Sequence, residues 1–240
     1  MERPFVFINS AISADGKISS FLRKQVRISG KEDLNRVDGL RASTDAIIVG
    51  VGTVVSDDPG LRVKSEQLRK ERVQRSEDEN PLRIVADSMA RTPMNAQVLG
   101  DGCIIAVSKA APSGRLAELS ERCEIVVCGE RRVDLTKLMM VLCRKGVNRL
   151  MVEGGATLNW SMIEADIVDE ICVYMGDILI GGEMAPSLVD GAGFSRDFPK
   201  LELISLDQLD CGALLRWRVC REDLIIVKNL MNYQCTSHFP

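Results

Sequence analysis

The chain has 240 residues, of which 45% are hydrophobic and 27% charged, and its formal net charge is −3. A chain of that length and composition buries roughly 70% of the surface its unfolded form exposes, so it needs no disulfide or metal staple. A pI near 5.4 removes the electrostatic case for nucleic acid or an anionic membrane. No apolar run reaches the roughly 20 residues that a bilayer span requires.

Eight cysteines, Cys103, Cys123, Cys128, Cys143, Cys172, Cys211, Cys220 and Cys235, include no C-x-x-C pair, and several sit in apolar runs. They read as buried free thiols acting as small hydrophobes. Zinc has no ligand set, because His238 is the only histidine, and no metal is expected. Met1-Glu2-Arg3-Pro4 runs directly into a strand-like segment and lacks the features of a signal peptide. The expectation is a soluble, cytoplasmic protein.

In chain order, residues 5–8 read as a buried strand that leads into the polar turn Ser13-Ala14-Asp15-Gly16-Lys17. A helix starts at Ser29-Gly30-Lys31-Glu32, where Ser29 and Glu32 have capping-box spacing. Leu34, Val37 and Leu40 then form its expected core face. Residues 45–49 are a second strand, closed by Gly50-Val51-Gly52-Thr53. Residues 62–79 are densely charged and read as an exposed loop or solvated short helix, an insertion, since such a run is usually a solvated face.

Strands follow at 82–87, 103–107 and 124–128, with a helix at 113–122. Asp134 is placed to cap a helix that points Leu135, Leu138, Met139 and Leu142 inward and stops at Gly146. Residues 148–153 are a strand ending in Glu153-Gly154-Gly155, and a helix through 158–163 follows. Strands separated by helical patterns predict βαβ units and a mostly parallel sheet. Residues 171–174, 201–204 and 213–219 are strands without helices between them, which predicts antiparallel additions. The reading is one α/β domain over 1–221, with a C-terminal tail of unassigned structure over 222–240.

In such sheets ligands lie beyond the carboxyl ends of the strands. Two of those ends, Gly50-Val51-Gly52-Thr53 and Gly154-Gly155-Ala156-Thr157, carry glycines, a threonine and a helix start. Each is a simple turn or a phosphate cradle; neither matches G-x-G-x-x-G. Asp15, Asp57, Asp58, Asp87 and Glu153 fall at strand ends or in the turns beyond. Turn aspartates usually bond their own backbone, but Glu153 directly ends an apolar strand. Without a usable histidine, proton transfer falls to carboxylates, lysine or water, and Ser-His-Asp hydrolysis is excluded. Arg41 reads from position as a solvated helix-end cation. Lys17, Arg27, Lys64 and Arg91 are further cations near the same end.

Taken together, these segments resemble the reductases of riboflavin biosynthesis, specifically the stand-alone archaeal type. The resemblance is carried by Ser13-Ala14-Asp15-Gly16-Lys17, Asp45 to Val54, Asp57-Asp58-Pro59-Gly60-Leu61, Pro81 to Ser88, Val152 to Leu158, and Val168-Asp169-Glu170-Ile171 with Ile180-Gly181-Gly182. It implies a dihydrofolate-reductase-like fold, a homodimer, and reduction of 2,5-diamino-6-ribosylamino-4(3H)-pyrimidinone 5′-phosphate to the ribitylamino compound with NADPH, or NADH, as donor. It further implies cofactor contacts at Thr53, Asp57, Val85, Ala86, Asp87, Ser88, Val127, Cys128, Gly129, Gly154, Gly155, Ala156 and Thr157. Substrate contacts fall at Asn9, Arg41, Leu61, Lys64 and Glu153, with Arg41 toward the ribose phosphate. Glu153 and Asp15 are the candidate catalytic groups, Asp15 beside the nicotinamide. Bacterial relatives carry an arginine after the Asp-Asp-Pro segment where this chain has Lys64, preceded by Arg62. They are also fused to a zinc deaminase domain, whose ligands this chain lacks; that fits reduction before deamination. The alternatives are a reductase of the same fold acting on the deaminated pyrimidine or a pteridine, or a non-catalytic nucleotide-binding protein.

Overall fold

A computed structural model describes residues 2–221, so the tail predicted over 222–240 lies outside the described residues. The chain runs β1 (Phe5–Ile12), α1 (Lys31–Ala42), β2 (Ala46–Gly50), α2 (Val51–Asp57), α3 (Glu66–Gln74), β3 (Leu82–Ala86), β4 (Cys103–Val107), α4 (Ser113–Ser120) and β5 (Glu124–Val127). It continues with α5 (Leu135–Arg144), β6 (Arg149–Val152), α6 (Ala156–Glu164), β7 (Glu170–Met175), β8 (Lys200–Leu209) and β9 (Gly212–Cys220). One nine-stranded sheet has the order β5-β4-β3-β2-β6-β1-β7-β9-β8. The strands β1 to β7 pair in parallel, and β9 and β8 are added antiparallel to β7 and to each other. The α/β class and the antiparallel C-terminal strands are as the alternation of elements predicted.

Short apolar strands in the middle of a parallel sheet are buried on both faces, and the core divides accordingly. Val6, Ile8, Ile48, Ile84 and Ile104 pack with α5 and α6 on one face. Phe7, Ile47, Val49, Val85 and Ile105 pack with Leu119 on the other. α5 follows its pattern: Asp134 accepts the Lys137 amide, and Leu135, Leu138, Met139 and Leu142 are buried. β1 is longer than predicted, because residues 9–12 pair with β7 after the pairing with β6 has ended.

α1 follows the pattern only in part: Val37 and Leu40 pack partly buried against the core, but Leu34 does not. The buried residues of α1 are Asp33, Asp38 and Ala42, whereas Leu34 is 46% exposed. Carboxylates face inward here because they have partners: Asp38 accepts the Lys64 and Ser65 amides at 2.6 and 2.8 Å, and Asp33 accepts from Ser29 and Arg36. The expected Ser29–Glu32 capping box does not form. Gly30 occupies the N-cap, and the Glu32 and Asp33 amides donate instead to Asp210, in the β8–β9 turn, at 3.0 and 2.9 Å. A Cβ on residue 30 would fall 2.3 Å from the Asp210 carboxyl carbon, so the remote cap requires glycine at that position.

The charged stretch 62–79 holds α3, and it is anchored rather than merely solvated. Arg72 is buried and donates to the Ala42, Thr44 and Asp78 carbonyls. The described cysteines are free thiols, but only Cys103, Cys128 and Cys172 are buried, and Cys211, in the turn before β9, is exposed. No helix among the described residues is long and apolar enough to cross a membrane.

Candidate active site

β2 and β6 are neighbours in register, so the two glycine turns lie side by side. The Gly50 amide donates to the Gly154 carbonyl at 2.8 Å, and the Glu153 amide to Ile48 at 3.0 Å. Gly154 has φ +94°, the left-handed region that favours glycine. A Cβ on Gly155 would come within 3.2 Å of Thr53 Oγ1, so a side chain there would push the threonine hydroxyl aside by a few tenths of an ångström. The Gly154–Gly155 peptide is cis. α6 then starts with Gly155 at its N-cap and no side-chain cap, which leaves its first-turn amides available to an anion.

These turns form one wall of a crevice of about 780 Å³, within the size range of small-molecule sites. Thr53, Asp57, the Gly154–Thr157 turn, Asn9, Lys64 and Glu153 all line it. Ile18, Leu34, Val37 and Pro186 supply apolar surface. The exposed face of Leu34 on α1 is therefore a crevice wall.

Arg41 does not behave as a solvated helix-end cation. Its Nε and Nη2 donate to the two carboxylate oxygens of Glu153, both at 2.7 Å, and the two side chains are only 15% and 13% exposed. Nη1 donates to the Arg62 carbonyl at 3.1 Å. Burial pulls the guanidinium's pKa down, but the charge and hydrogen bonds of Glu153 outweigh that and hold it above its usual value. A fork-to-fork pair of this kind fixes orientation as well as charge. Arg41 thus orients Glu153 at the crevice wall, and its fork is already occupied.

A second network was not anticipated. The Ser29 hydroxyl donates to Asp33 at 2.5 Å, Arg36 donates to Asp33 at 2.8 Å, and Arg36 Nη2 donates to Asn9 Oδ1 at 2.9 Å. Because Arg36 takes the carbonyl oxygen of Asn9, the amide NH2 is the group that Asn9 can offer a ligand. The signal lay in the sequence as a carboxylate, Asp33, on what became the inner side of a helix.

The remaining predicted residues separate into distinct places. Asp15 lies outside the crevice lining and accepts from Ser13 Oγ at 2.6 Å and from the Ile180 and Gly181 amides at 3.0 and 2.7 Å. Those bonds hold its carboxyl at about 2, so it stays ionised and pins the 180–181 loop to the turn. Leu61 is buried in the core with φ +49°. Val85 is also core. Asp87 is fully buried and accepts the Thr92 amide and hydroxyl at 2.7 and 2.8 Å. Ser88 accepts the Val133 amide at 3.0 Å. Val127 is exposed at the end of β5, and Gly129 has φ +96°. Residues 85–88 and 127–129 continue the same carboxyl edge of the sheet through β3, β4 and β5, beyond the crevice itself. No group of three or more potential metal ligands occurs among the described residues.

Residues 4–215 match the RibD C-terminal domain family. The chain belongs to that family. It is 52% identical over 194 residues to a protein of Archaeoglobus fulgidus named 2,5-diamino-6-ribosylamino-4(3H)-pyrimidinone 5′-phosphate reductase, with 80% of this chain and 89% of that one covered. A protein of the same name from Methanothermobacter thermautotrophicus is 47% identical, with 84% and 91% covered. A pyrimidine reductase-like protein of Corynebacterium diphtheriae shares the fold at a TM-score of 0.81 and 17% identity, covering 91% of this chain and 93% of that one.

Proposed function

We propose that this chain is the NADPH-dependent reductase that converts 2,5-diamino-6-ribosylamino-4(3H)-pyrimidinone 5′-phosphate to the ribitylamino compound in riboflavin biosynthesis. The observation that carries the reading is Glu153. It directly follows β6, is held by Arg41, and joins the glycine turn to the crevice. The names of the relatives from Archaeoglobus and Methanothermobacter support the substrate.

The residues fit a dinucleotide. The α6 amides and Thr53 suit a pyrophosphate, and the edge from residue 85 to residue 129 gives an extended nucleotide room to continue. When bound, NADPH supplies the hydride that reduces C1′ of the open-chain sugar. The protein's part is proximity and orientation. Glu153, fixed by Arg41, accepts hydrogen bonds from the substrate's polar groups, and Asn9 donates to a ring acceptor. With the Arg41 fork engaged, the ribose phosphate falls to Lys64, Arg27 and Arg23, which line the crevice. Asp15 acts by holding its loop, and with both Glu153 oxygens accepting from Arg41 the proton comes from water. NADPH is our reading over NADH, in a cytoplasmic homodimer.

The test is loss of reduced-nicotinamide absorbance in the presence of the pyrimidine phosphate, with either nucleotide. Absence of substrate-dependent oxidation would refute the reading. Faster turnover of the deaminated pyrimidine would favour the alternative place in the pathway.

A further inference from the structure

Helix α1 carries two arginines, and each grips one polar group of the crevice wall. Arg41 holds Glu153 through both carboxylate oxygens, and Arg36 holds Asn9 through its Oδ1 at 2.9 Å. The strands beneath bring the two held groups together. β1 and β6 pair in parallel with Phe7 opposite Met151 and Ile8 opposite Val152, so Asn9 and Glu153 are the next residues on neighbouring strands. Phe7 and Met151 belong to the core cluster against which Val37 and Leu40 of α1 pack. Alternation returns Asn9 and Glu153 to that same face, and both line the crevice.

A guanidinium only donates, so the Asn9 atom that meets Arg36 is the oxygen, and the orientation of the amide follows. Arg36 is itself fixed, since its Nε donates to Asp33 at 2.8 Å and the Ser29 hydroxyl holds the other oxygen of Asp33. Arg36 does not line the crevice, so it reaches a ligand only through Asn9. Asn9 is 7% exposed. Its Nδ2 has no hydrogen-bond partner among the described residues, yet it is not sealed from solvent. A buried amide that served packing alone would have both ends paired; here one end is fixed and the other is open. Glu153, ionised against Arg41, can only accept, and a carboxylate keeps lone pairs beyond the two that Arg41 takes. One donor and one acceptor therefore stand side by side, each set from behind by α1. That array matches a ring carbonyl beside a ring N–H, the lactam edge of a pyrimidinone.

We propose that Arg36 is a positioning residue that presents the Asn9 NH2 to the crevice, and that Asn9 and Glu153 together read the C4 carbonyl and N3–H of the substrate ring. This deepens the reductase reading above and rests on it.

The experiment is steady-state kinetics on the full chain with NADPH and the pyrimidine phosphate, with thermal denaturation as a check on folding. Asn9→Asp keeps the shape of the side chain and its bond to Arg36 but replaces the donor with an acceptor. It is expected to keep or raise the Tm and to lose about 10- to 100-fold in kcat/KM, mainly through the KM for the pyrimidine, with the KM for NADPH unchanged. Arg36→Met frees the amide and should cost about tenfold in kcat/KM. In an Asn9→Leu background the same change should cost less than about twofold, because Arg36 acts only through Asn9. Calorimetry on the wild type tests the ring edge directly: the analogue with an amino group in place of the C4 carbonyl should bind about tenfold more weakly than the substrate. Asn9→Asp should narrow that preference. Wild-type kcat/KM in Asn9→Asp, or equal affinity of the wild type for the two pyrimidines, overturns the proposal. So does an Arg36→Met loss that is undiminished in the Asn9→Leu background, the mark of a merely structural arginine. A wild-type protein that does not oxidise NADPH with the pyrimidine phosphate refutes the reductase reading itself.

Discussion

At the scale of single residues, the Arg41–Glu153 pair decides how the site works. Two partly buried charges meet through two 2.7 Å hydrogen bonds, and removing one partner leaves the other without compensation. Arg41→Ala and Glu153→Gln should each lower kcat/KM, and the double variant should lose less than the two losses added together. A coupling of about 1–3 kcal/mol is expected for groups in such contact. Strict additivity in that cycle, measured on purified variants, would show that Arg41 does not act through Glu153. Asp15 belongs to the same scale but acts on stability. Its bonds to Ser13, Ile180 and Gly181 lower its pKa from 3.8 to about 2. A depressed carboxylate contributes stability that is complete above its unfolded pKa and is lost as pH falls through the folded one. Asp15→Asn should therefore lower the Tm at neutral pH and flatten its decline between about pH 4 and pH 2. An unchanged acid profile would contradict the assignment of Asp15 as a loop anchor.

At the scale of elements, periodicity and capping signals place the strands, α4, α5 and α6, and the glycine turns mark the crevice. What stayed hidden depends on partners distant in sequence. Nothing near Ser29 announces that α1 is capped by Asp210, because the hydrogen bonds span 178 and 177 residues. Nor does α1's own pattern show that Asp33 and Asp38 turn inward: Asp38 is held by the Lys64 and Ser65 amides in the loop before α3, and Arg36, the partner of Asp33, is itself tied to Asn9 on β1. The Arg41–Glu153 pair joins residues 112 apart; each was legible as a candidate and their contact was not. The remote cap is testable. Asp210→Ala should leave the first amides of α1 unpaired and lower the Tm, while Asp210→Asn, which keeps one acceptor, should recover most of it. The carboxyl of Asp210 is lowered mainly by the Asp33 and Glu32 amides, so the difference between wild type and Asp210→Asn should shrink as pH falls below the ordinary carboxylate range. Equal Tm values for wild type and Asp210→Ala would show that the helix gains nothing from the β8–β9 turn.

At the scale of the whole molecule, the sheet ends on β8, and that edge is unusual for an exposed strand. Side chains alternate along a strand, so Leu201 and Leu203 share a face. The register shifts between Leu203 and Ser205. One extra residue at such a bulge returns Leu206 to the face of Leu201 and Leu203. All three are exposed, at 43%, 47% and 60%. Native edge strands are normally protected by charge, proline or cover, and a contiguous apolar face of this kind marks an interface. A second copy of the chain is the occupant that the homodimer reading supplies, and it would cover β8 without obstructing the crevice, which opens at the carboxyl ends of β1, β2 and β6. Leu203→Lys combined with Leu206→Lys should therefore convert a dimer to a monomer in size-exclusion chromatography with light scattering. Because the substitutions lie on an exposed face of a strand still paired with β9, far-ultraviolet circular dichroism should be unchanged. A wild-type protein that is monomeric at micromolar concentration, or a double-lysine variant that remains dimeric, would place the interface elsewhere or remove it.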